Sequence, residues 1–353
     1  MSRNIRRKPA TLSDVAATIG VAPMTVSRVI NGNGYVSEET REKVLDAVKK
    51  LNYRRNGVAR NLKRQRTDTV GLVIGDISNP FSTELANAVR ESLSLRGYNL
   101  FICISEHSAK EDISAFESFV DHNIDGMIVA TRSNAEGDER LGEIADSGVP
   151  IVVVGRDFHH EAVDSISADN FKGGFEATQH LIDLGHKRIG FIGAGFEDRS
   201  KLKRLQGYLS ALTKHKIQVD ERLITGRKGS GNDVPGYSTE AIGYEGMKRL
   251  LALPNKPTAV FARNDFTAVG AMSAAKEAGY SIPQDIAIVG FDDTPLAMHT
   301  TPSLTTVRQP MRVQGQIAAE MLLRRISDDS DDGTRERVLD CELIIRESTV
   351  AQN

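Results

Sequence analysis

The 353-residue chain has a formal net charge of −2, with 40% hydrophobic and 26% charged residues, a composition typical of a globular protein of two or three domains. It lacks the run of about 18 apolar residues that a membrane span requires. The basic N-terminus is not followed by the apolar segment of a secretory signal. Two cysteines, Cys103 and Cys341, cannot form a disulfide framework, and the scattered histidines lack metal-ligand spacing. We therefore expect free thiols and neither a metal nor a cofactor.

The small net charge conceals two parts of opposite sign. Residues 1–66 hold 15 Lys and Arg against 5 Asp and Glu, a net charge of +10, whereas the remaining chain holds 30 against 42, a net charge of −12. A basic segment joined to an acidic remainder is typical of a protein that binds a polyanion such as DNA.

The segment Thr11–Asn31, TLSDVAATIGVAPMTVSRVIN, predicts two short helices joined by a tight turn. Apolar residues recur with helical spacing on both sides of Gly20, which breaks the period. Thr11 and Asp14 have the spacing of a capping box, and Pro23 suits the first turn of the second helix. This pattern indicates a helix-turn-helix, whose second helix lies in the major groove of DNA. The alternative is a pair of helices from an ordinary bundle.

Two more helices are expected before the composition changes. Ser37 is placed to cap a third helix with an apolar stripe that includes Val44 and Leu51. Asn56–Lys63 predicts a short fourth helix, which is marginal in water unless a partner or DNA orders it. Its basic residues suit phosphates, and Leu62 suits insertion between base steps from the minor groove. The alternative for this segment is a plain linker.

From Thr69 onward the sequence alternates between strand and helix patterns, twice over. This predicts two parallel sheets side by side, with a cleft that faces the carboxyl ends of their strands. The predicted strands are Val70–Ile74, Leu100–Ile104, Gly126–Ala130, Ile151–Val154, Arg188–Ile192, Thr258–Ala262, Asp285–Val289, a return strand over Ser303–Gln309 and a final strand over Val338–Ile345. The expected fold class is an all-α head followed by a two-lobed α/β body. The expected domains are residues 10–55, a linker over 56–66, and residues 67–353.

The sequence disfavours the two other functional classes considered. The glycine-rich segment Gly190–Gly195 is not GxGxxG, and no serine has the GxSxG context of a hydrolase, so we expect no enzyme activity. The glycine-rich stretch Gly226–Gly236 lacks the strand–loop–helix context of a phosphate cradle and is interpreted as a surface loop. A secreted sugar-binding protein would account for the body, but it would not account for the helix-turn-helix.

These segments together resemble the lactose-repressor (LacI/GalR-type) family of bacterial transcription regulators. The resemblance covers residues 10–350 and rests on TLSDVAATIGVAPMTVSRVIN, VGLVIGDISNPF, HLIDLGHKRIGFIG, PTAVFARND, IAIVGFDDTPLA and TPSLTTVRQP. It implies a body like the periplasmic sugar-binding proteins (type I), with three segments crossing between the lobes. It also implies a cytoplasmic, nucleoid-associated homodimer that binds a pseudo-palindromic operator and is controlled by a small-molecule effector.

The resemblance assigns site residues in both parts. The implied DNA contacts are Thr11, Pro23, Met24, Thr25, Ser27, Arg28 and Asn31 in the head, and Ala59, Arg60, Leu62 and Lys63 in the short helix. The implied effector contacts are Asn79, Phe81, Ser82, Arg156, Ser200, Arg204, Phe261, Asp265 and Asp292. Purine-responsive members have an arginine where this chain has Asp198. The resemblance therefore favours a sugar or sugar acid over a purine.

Overall fold

A computed structural model describes residues 10–53, 66–106, 108–132, 134–193, 199–225, 239–327 and 335–350, with backbone alone at 199–201. The chain divides into two compact units, Met1–Thr67 and Asp68–Asn353, and each is described by itself. Among these described residues, no helix combines the length and the apolar character that crossing a bilayer requires.

The head consists of three helices, α1 (Leu12–Ile19), α2 (Pro23–Asn31) and α3 (Glu38–Lys50). The expected capping box is present, because the Thr11 backbone N–H donates to Asp14 Oδ2 at 2.7 Å and the Asp14 N–H donates to Thr11 Oγ1 at 3.3 Å. The buried side chains that join the three helices are Val15, Ala16, Val26, Val29, Val44 and Ala47.

The expected cap of the third helix is not formed by a side chain. Ser37 is the residue before α3, but its hydroxyl bonds no backbone N–H of the helix. Its Oγ instead lies 2.8 Å from Thr40 Oγ1, one turn into the helix. The acidic residues Glu38 and Glu39 in the first turn remain to complement the helix dipole.

The body contains two six-stranded sheets. The first sheet has the order β11-β5-β4-β3-β1-β2, with all strands parallel. Its strands are β1 (Thr69–Ile74), β2 (Asn99–Ile104), β3 (Gly126–Ala130), β4 (Ile151–Val154), β5 (Val163–Ala168) and β11 (Glu336–Leu339). The helices that follow β1, β2, β3 and β10 complete this lobe, and they are α4 (Pro80–Ser94), α5 (Ala109–Asp121), α6 (Ala135–Asp146) and α12 (Met311–Ile326).

The second sheet has the order β12-β10-β9-β8-β6-β7, in which only the edge strand β12 is antiparallel. Its strands are β6 (Ile189–Ile192), β7 (Ile224–Thr225), β8 (Ala259–Ala262), β9 (Ala287–Asp292), β10 (Thr305–Arg308) and β12 (Glu342–Ile344). Its helices are α7 (Asn170–Asp183), α8 (Arg199–Lys214), α9 (Thr239–Leu251), α10 (Asp265–Glu277) and the short α11 (Pro295–His299).

The chain crosses between the two lobes three times. It leaves the first lobe after β5, returns after β10, and leaves again between β11 and β12. The single final strand expected over Val338–Ile345 is therefore wrong, because its two halves belong to different sheets. Strand β5 was also not predicted, since its sequence VDSISA carries the buried polar residues Asp164, Ser165 and Ser167 instead of an apolar run.

Glycines bring α7 and α8 into backbone contact within the second lobe. A Cβ atom at Gly174 would lie 2.3 Å from the Arg204 carbonyl oxygen, and one at Gly207 would lie 2.2 Å from the Phe171 carbonyl oxygen. Both contacts are backbone atoms, which cannot rotate away as a side chain does. The close approach positions the first turns of α8 beside the start of α7.

We predict that Gly174→Ala destabilises the body by about 1–3 kcal/mol, because the added methyl group forces the two helices apart. Urea unfolding of the variant measures the change as a lower midpoint. Gln206→Ala, an exposed change on the same helix, serves as the control and should leave the midpoint within error. An unchanged midpoint for Gly174→Ala would contradict the close backbone approach.

Candidate DNA-binding face and ligand cleft

Helix α2 presents an exposed face opposite its buried one. Val26 and Val29 face the core of the head, and the side chain of Met24 on the other side is 65% exposed. Of the predicted DNA contacts on this helix, Pro23, Met24, Arg28 and Asn31 are exposed, and Thr25 and Ser27 are half-buried. The Asn31 amide donates to Ser27 Oγ at 3.0 Å, which orders the two side chains on this face.

The loop after α2 adds to the same region. Arg28 extends beside Gly34, since a Cβ at Gly34 would lie 3.7 Å from Arg28 Cδ. Tyr35, the next residue, is 93% exposed, and the sequence reasoning did not select it. The available signal for Tyr35 was its position, because it is an aromatic residue directly after the glycines that follow α2. Thr11, another predicted contact, already uses its hydroxyl in the capping box with Asp14.

Four predicted DNA contacts belong to the short helix expected over residues 56–63. Ala59, Arg60, Leu62 and Lys63 lie outside the described residues. Their roles therefore remain predictions from the resemblance.

In the first lobe, the predicted cleft residues follow the carboxyl ends of β1 and β4. Asn79 caps α4, with its Oδ1 accepting from the Phe81 N–H at 3.0 Å, and Ser82 is buried in the first turn of the helix. The ring of Phe81 lies next to Gly155, which follows β4 with a positive φ of 84°. The structure thus places these predicted residues on one edge of the first sheet.

Arg156 is the charged centre of this edge. Its guanidinium is 3% exposed and is bound to Asp138 by two hydrogen bonds, of 2.6 and 3.2 Å, while Nε donates to the Thr131 carbonyl at 3.1 Å. Nearby, burial raises the pKa of Asp112, which accepts a hydrogen bond from the Asn134 amide at 3.2 Å. The charge of Arg156 is therefore neutralised within its own lobe.

In the second lobe, Arg204 has the same role with more partners. Its side chain is 7% exposed and stacks on Phe291, with the guanidinium carbon 3.7 Å from the ring centroid. Nε donates to Asn170 Oδ1 at 2.7 Å and Nη1 donates to the Arg263 carbonyl at 2.5 Å. Nη2 lies 3.4 Å from Asp292 Oδ1. Each nitrogen of this guanidinium thus has a protein group within 3.4 Å, and the Phe291 ring lies on one of its faces.

Asp292 extends this network to the second crossing segment. Its Oδ1 accepts from the Gln309 amide at 2.5 Å, and Gln309 is the residue that follows β10. Asp292 has a positive φ of 111°, a strained conformation for a residue other than glycine. Arg204 bonds Asn170 in the segment after β5, and Asp292 bonds Gln309 in the segment after β10. Together the two residues tie two of the three crossings to the second lobe.

Two predicted contacts lie beneath the cleft edge. Phe261 has no exposed surface and packs edge-on against Phe191, with ring centroids 5.2 Å apart, so the structure corrects the expectation that it faces the cleft. Asp265 is equally buried, and its carboxylate accepts from the Thr294 N–H at 2.7 Å and from the hydroxyls of Thr294 and Thr306 at 3.0 and 2.5 Å. It holds the loop after β9.

Among the residues that the structure describes, an ion pair joins the lobes directly. Asp157, three residues after β4, accepts from Lys203 Nζ of α8 at 2.6 Å. Each partner adjoins in sequence one of the buried arginines, Arg156 or Arg204. The remaining predicted contact, Ser200, lies in the first turn of α8, where the structure describes the backbone alone.

Sequence reasoning missed Asn170, Gln309, Asp157 and Lys203. Each of the first two is a polar amide at a point where the chain changes lobes: Asn170 lies two residues after the end of β5, and Gln309 directly follows β10. That position was the available signal for Asn170 and Gln309. The ion pair had no such signal, because its residues are 46 positions apart in the sequence.

Comparisons with known proteins bear on both parts. Residues 11–56 match the family model "Bacterial regulatory proteins, lacI family", and residues 178–349 match the "Periplasmic binding protein-like domain". The transcriptional repressor PurR of Mannheimia succiniciproducens is 35% identical over 96% of this chain and 98% of its own length.

The chain belongs to the LacI family. Its relatives are DNA-binding transcriptional repressors with an effector domain, and it is not an enzyme. The Lac repressor dimer bound to operator and an anti-inducer matches with a TM-score of 0.83, at 27% identity over 98% of this chain and 100% of that one. A CelR–cellobiose complex matches with a TM-score of 0.72, at 33% identity over 96% and 99%. The expected fold class, a helical head with a two-sheet α/β body, is confirmed.

We predict that Asp265 makes the stability of this LacI-family protein depend on pH. Burial, and secondarily the charge of Asp292, raises its pKa to about 7. In the unfolded chain the pKa of this carboxyl group is about 3.9, so the folded protein binds the proton more tightly. The protonated Asp265 therefore contributes to the free energy of unfolding. This contribution is fully present below about pH 4 and is lost as the pH rises to about 7.

Asp265→Asn removes that titration. Chemical unfolding between pH 4 and 7 should therefore show a shallower fall in the free energy of unfolding for the variant than for the wild type. Asp285→Asn, an exposed change whose carboxylate bonds the Ser281 N–H, is the control and should keep the wild-type slope. Equal slopes for Asp265→Asn and wild type would contradict the assignment.

Proposed function

We propose that this protein is a sequence-specific repressor that binds a pseudo-palindromic operator as a homodimer, under the control of a sugar or sugar acid held between its lobes. Residues 10–55 read the operator, residues 56–66 form the hinge, and residues 67–353 bind the effector and dimerise. A regulator of this kind works in the cytoplasm, at the nucleoid.

The observation that carries the proposal is the exposed face of α2. It combines a guanidinium, an amide and hydroxyls in a part of the chain with a net charge of +10. Arg28 suits a bidentate contact with guanine, and the apolar Pro23 and Met24 suit thymine methyl groups. Thr25 and Ser27 suit phosphates. In the hinge, Arg60 and Lys63 neutralise phosphates, Leu62 inserts at the central step, and Ala59 allows the paired helices to approach.

An edge strand supports the homodimer. Strand β2 is at the edge of the first sheet and exposes apolar side chains, among which Phe101 is 51% exposed. Ile102 and Ile104 are exposed on the same strand, and Leu95 just before it. A long apolar edge of this kind is normally covered. We propose that a second copy of the chain covers it, since the related Lac repressor is a dimer bound to operator.

The chemistry of the cleft supports a polyhydroxylated effector. Arg156, Arg204 and Asp292 are held at the strand ends by fixed partners, and Asn79 and Ser82 add neutral polar groups. Such a set offers both donors and acceptors to hydroxyl groups, and Phe81 offers an aromatic ring to the C–H surface of a sugar. The CelR–cellobiose complex shows a related protein with a sugar bound. The PurR relatives make a purine the alternative.

The crossing segments offer the route from effector to DNA. An effector that binds both lobes changes their separation, which the three crossings and the Asp157–Lys203 pair restrain. The separation then alters how the hinge helices of the two protomers pair. Coupling of this kind amounts to about 1–3 kcal/mol and is reciprocal between the two ligands.

Affinity selection from random duplex DNA tests the proposal, performed alone and with each of a panel of sugars, sugar acids and purines. We expect a palindrome with a central CG step whose enrichment changes with one compound. A palindrome whose enrichment no compound changes would contradict control by an effector of these classes. The absence of any enriched sequence under every condition would contradict the operator-binding role.

We predict that Arg28→Ala relaxes the preference at one symmetric base pair of the selected operator, because about 1–3 kcal/mol of base discrimination is lost. The slope of log affinity against log salt should stay near the wild-type value. Lys43→Ala, on α3 and paired with Glu39 at 2.7 Å, is the control. A uniform loss of affinity for all sequences with Arg28→Ala would instead make Arg28 a phosphate contact.

A further inference from the structure

Arg132 is a charged side chain that the described part of the first lobe leaves without a partner. It is half-buried and lies two residues after the end of β3. Its Nε is buried and has no hydrogen-bond partner among the residues that the structure describes, and no carboxylate of those residues pairs with it. A buried donor on a charged group is costly to leave unpaired, so in native proteins such a group normally meets a water, an ion or a ligand.

The order of the strands places Arg132 on the edge of the first lobe that faces the cleft. Strand β3 lies between β4 and β1 in the sheet. Arg156 follows β4 by two residues, and Phe81 lies in the first turn of the helix after β1. Arg156 Nε also donates to the carbonyl of Thr131, the residue before Arg132, at 3.1 Å. Arg132 therefore lies between two of the predicted effector contacts, although the resemblance assigns it no role.

The carboxylates that follow β3 and β4 are bound to other cations. Two hydrogen bonds, of 2.6 and 3.2 Å, join Asp138 to Arg156. Asp157 is paired with Lys203 of the second lobe at 2.6 Å. Neither carboxylate is therefore available to neutralise Arg132.

Asp112 is a further carboxyl group at this end of the sheet. Its Oδ2 accepts from the Asn134 amide at 3.2 Å. Burial raises its pKa, whereas two nearby hydroxyls, the charge of Arg156 and the Asn134 amide lower it, and Arg132 is not among these described groups. The positive charge of Arg132 thus has no counterpart in the described part of the first lobe.

The form of an arginine side chain defines what it recognises. A guanidinium offers two parallel N–H groups, from Nε and one Nη, that match two oxygens of a carboxylate or a phosphate. A neutral hydroxyl would accept from one of these N–H groups but would leave the positive charge uncompensated in a closed cleft. A buried charge without a counter-charge is much more costly than an unpaired neutral group. The side chain of Arg132 therefore favours an anion.

We propose that the effector is an anion, whose carboxylate or phosphate group forms a bidentate ion pair with Arg132. This inference rests on the proposed function, in which the cleft binds a small-molecule effector. It replaces the neutral sugars of that proposal with charged compounds, namely sugar acids and sugar phosphates. Arg132 is then the residue that separates these anions from their uncharged parent sugars.

The test is isothermal titration calorimetry on the full chain. D-gluconate, D-glucuronate, D-glucose 6-phosphate, D-ribose 5-phosphate, D-glucose, D-ribose and hypoxanthine are titrated into the wild type and into Arg132→Gln. An anion should bind the wild type most tightly, and Arg132→Gln should bind that anion roughly 10- to 100-fold more weakly. Whether that anion is an acid or a phosphate distinguishes the two sources of the charge.

Two further variants separate the ion pair from a structural effect. Arg324→Gln makes the same change at an exposed position of the first lobe and should bind the anion as the wild type does. Arg132→Lys keeps the charge without the planar fork, and its affinity should lie between those of the wild type and Arg132→Gln. Arg132→Gln should also unfold at a temperature no lower than the wild type, because it removes an unpaired charge.

Salt and the uncharged parent sugar provide readouts that a merely structural role would not change. Raising the ionic strength should weaken binding of the anion to the wild type more than to Arg132→Gln, because salt screens the ion pair. The parent sugar should bind the wild type and Arg132→Gln equally.

The outcomes separate this inference from the proposal beneath it. Tightest binding of a neutral sugar or of hypoxanthine overturns the anionic class and leaves an effector cleft standing. Equal affinity of the anion for wild type and Arg132→Gln overturns the role of Arg132. If no compound binds the wild type, the proposed effector fails, and this inference fails with it.

Discussion

The body depends on one buried cation. The Arg204 guanidinium, held between the Phe291 ring, the Asn170 amide, the Arg263 carbonyl and Asp292, lies where two crossing segments enter the second lobe. Removing one partner from a buried charged network leaves an uncompensated charge and typically costs 3–5 kcal/mol, on the order of a domain's whole stability. The network therefore ties two of the crossing segments to the second lobe.

The buried charges of Arg156 and Arg204 are each paired within their own lobe. Each lobe carries its own buried arginine and its own carboxylate partner, so the charges remain satisfied if the lobes separate. The Asp157–Lys203 pair is different, because its partners belong to different lobes and both keep some contact with solvent, with side chains 15% and 36% exposed. Such a pair contributes modestly to stability and is suited to break and re-form.

The sequence predicted most of the architecture, because the signals were local. The capping-box spacing of Thr11 and Asp14 predicted the start of α1. The apolar runs of β1, β3 and β4 predicted strands that are buried on both faces. Strand β5 was not predicted, because its buried positions include serines and an aspartate. The partner of that aspartate is distant in sequence, since Asp164 is bound by Arg325 of α12. The split of the final strand between two sheets was equally invisible, since register across a crossing is set by tertiary contacts.

The sequence likewise separated only some of the cleft residues from residues of the interior. Arg156, Arg204 and Asp292 were predicted and do lie at the strand ends, whereas Phe261 and Asp265 serve the interior. Residue type alone does not distinguish a carboxylate that faces a ligand from one that holds a loop, because both are surrounded by donors.

The central claim is that the two lobes exchange between discrete arrangements that the effector and the Asp157–Lys203 pair control. Pulsed electron–electron double resonance measures it directly, with spin labels at Glu139→Cys and Thr213→Cys, exposed positions in the first and second lobes, in a Cys103→Ser background. Labelled protein is diluted with unlabelled protein so that the measured distances lie within one chain. The account predicts two distance maxima whose populations change with the bound sugar, and a shift to the longer distance in Lys203→Gln without ligand. A single maximum, unchanged by sugar and by Lys203→Gln, would contradict it.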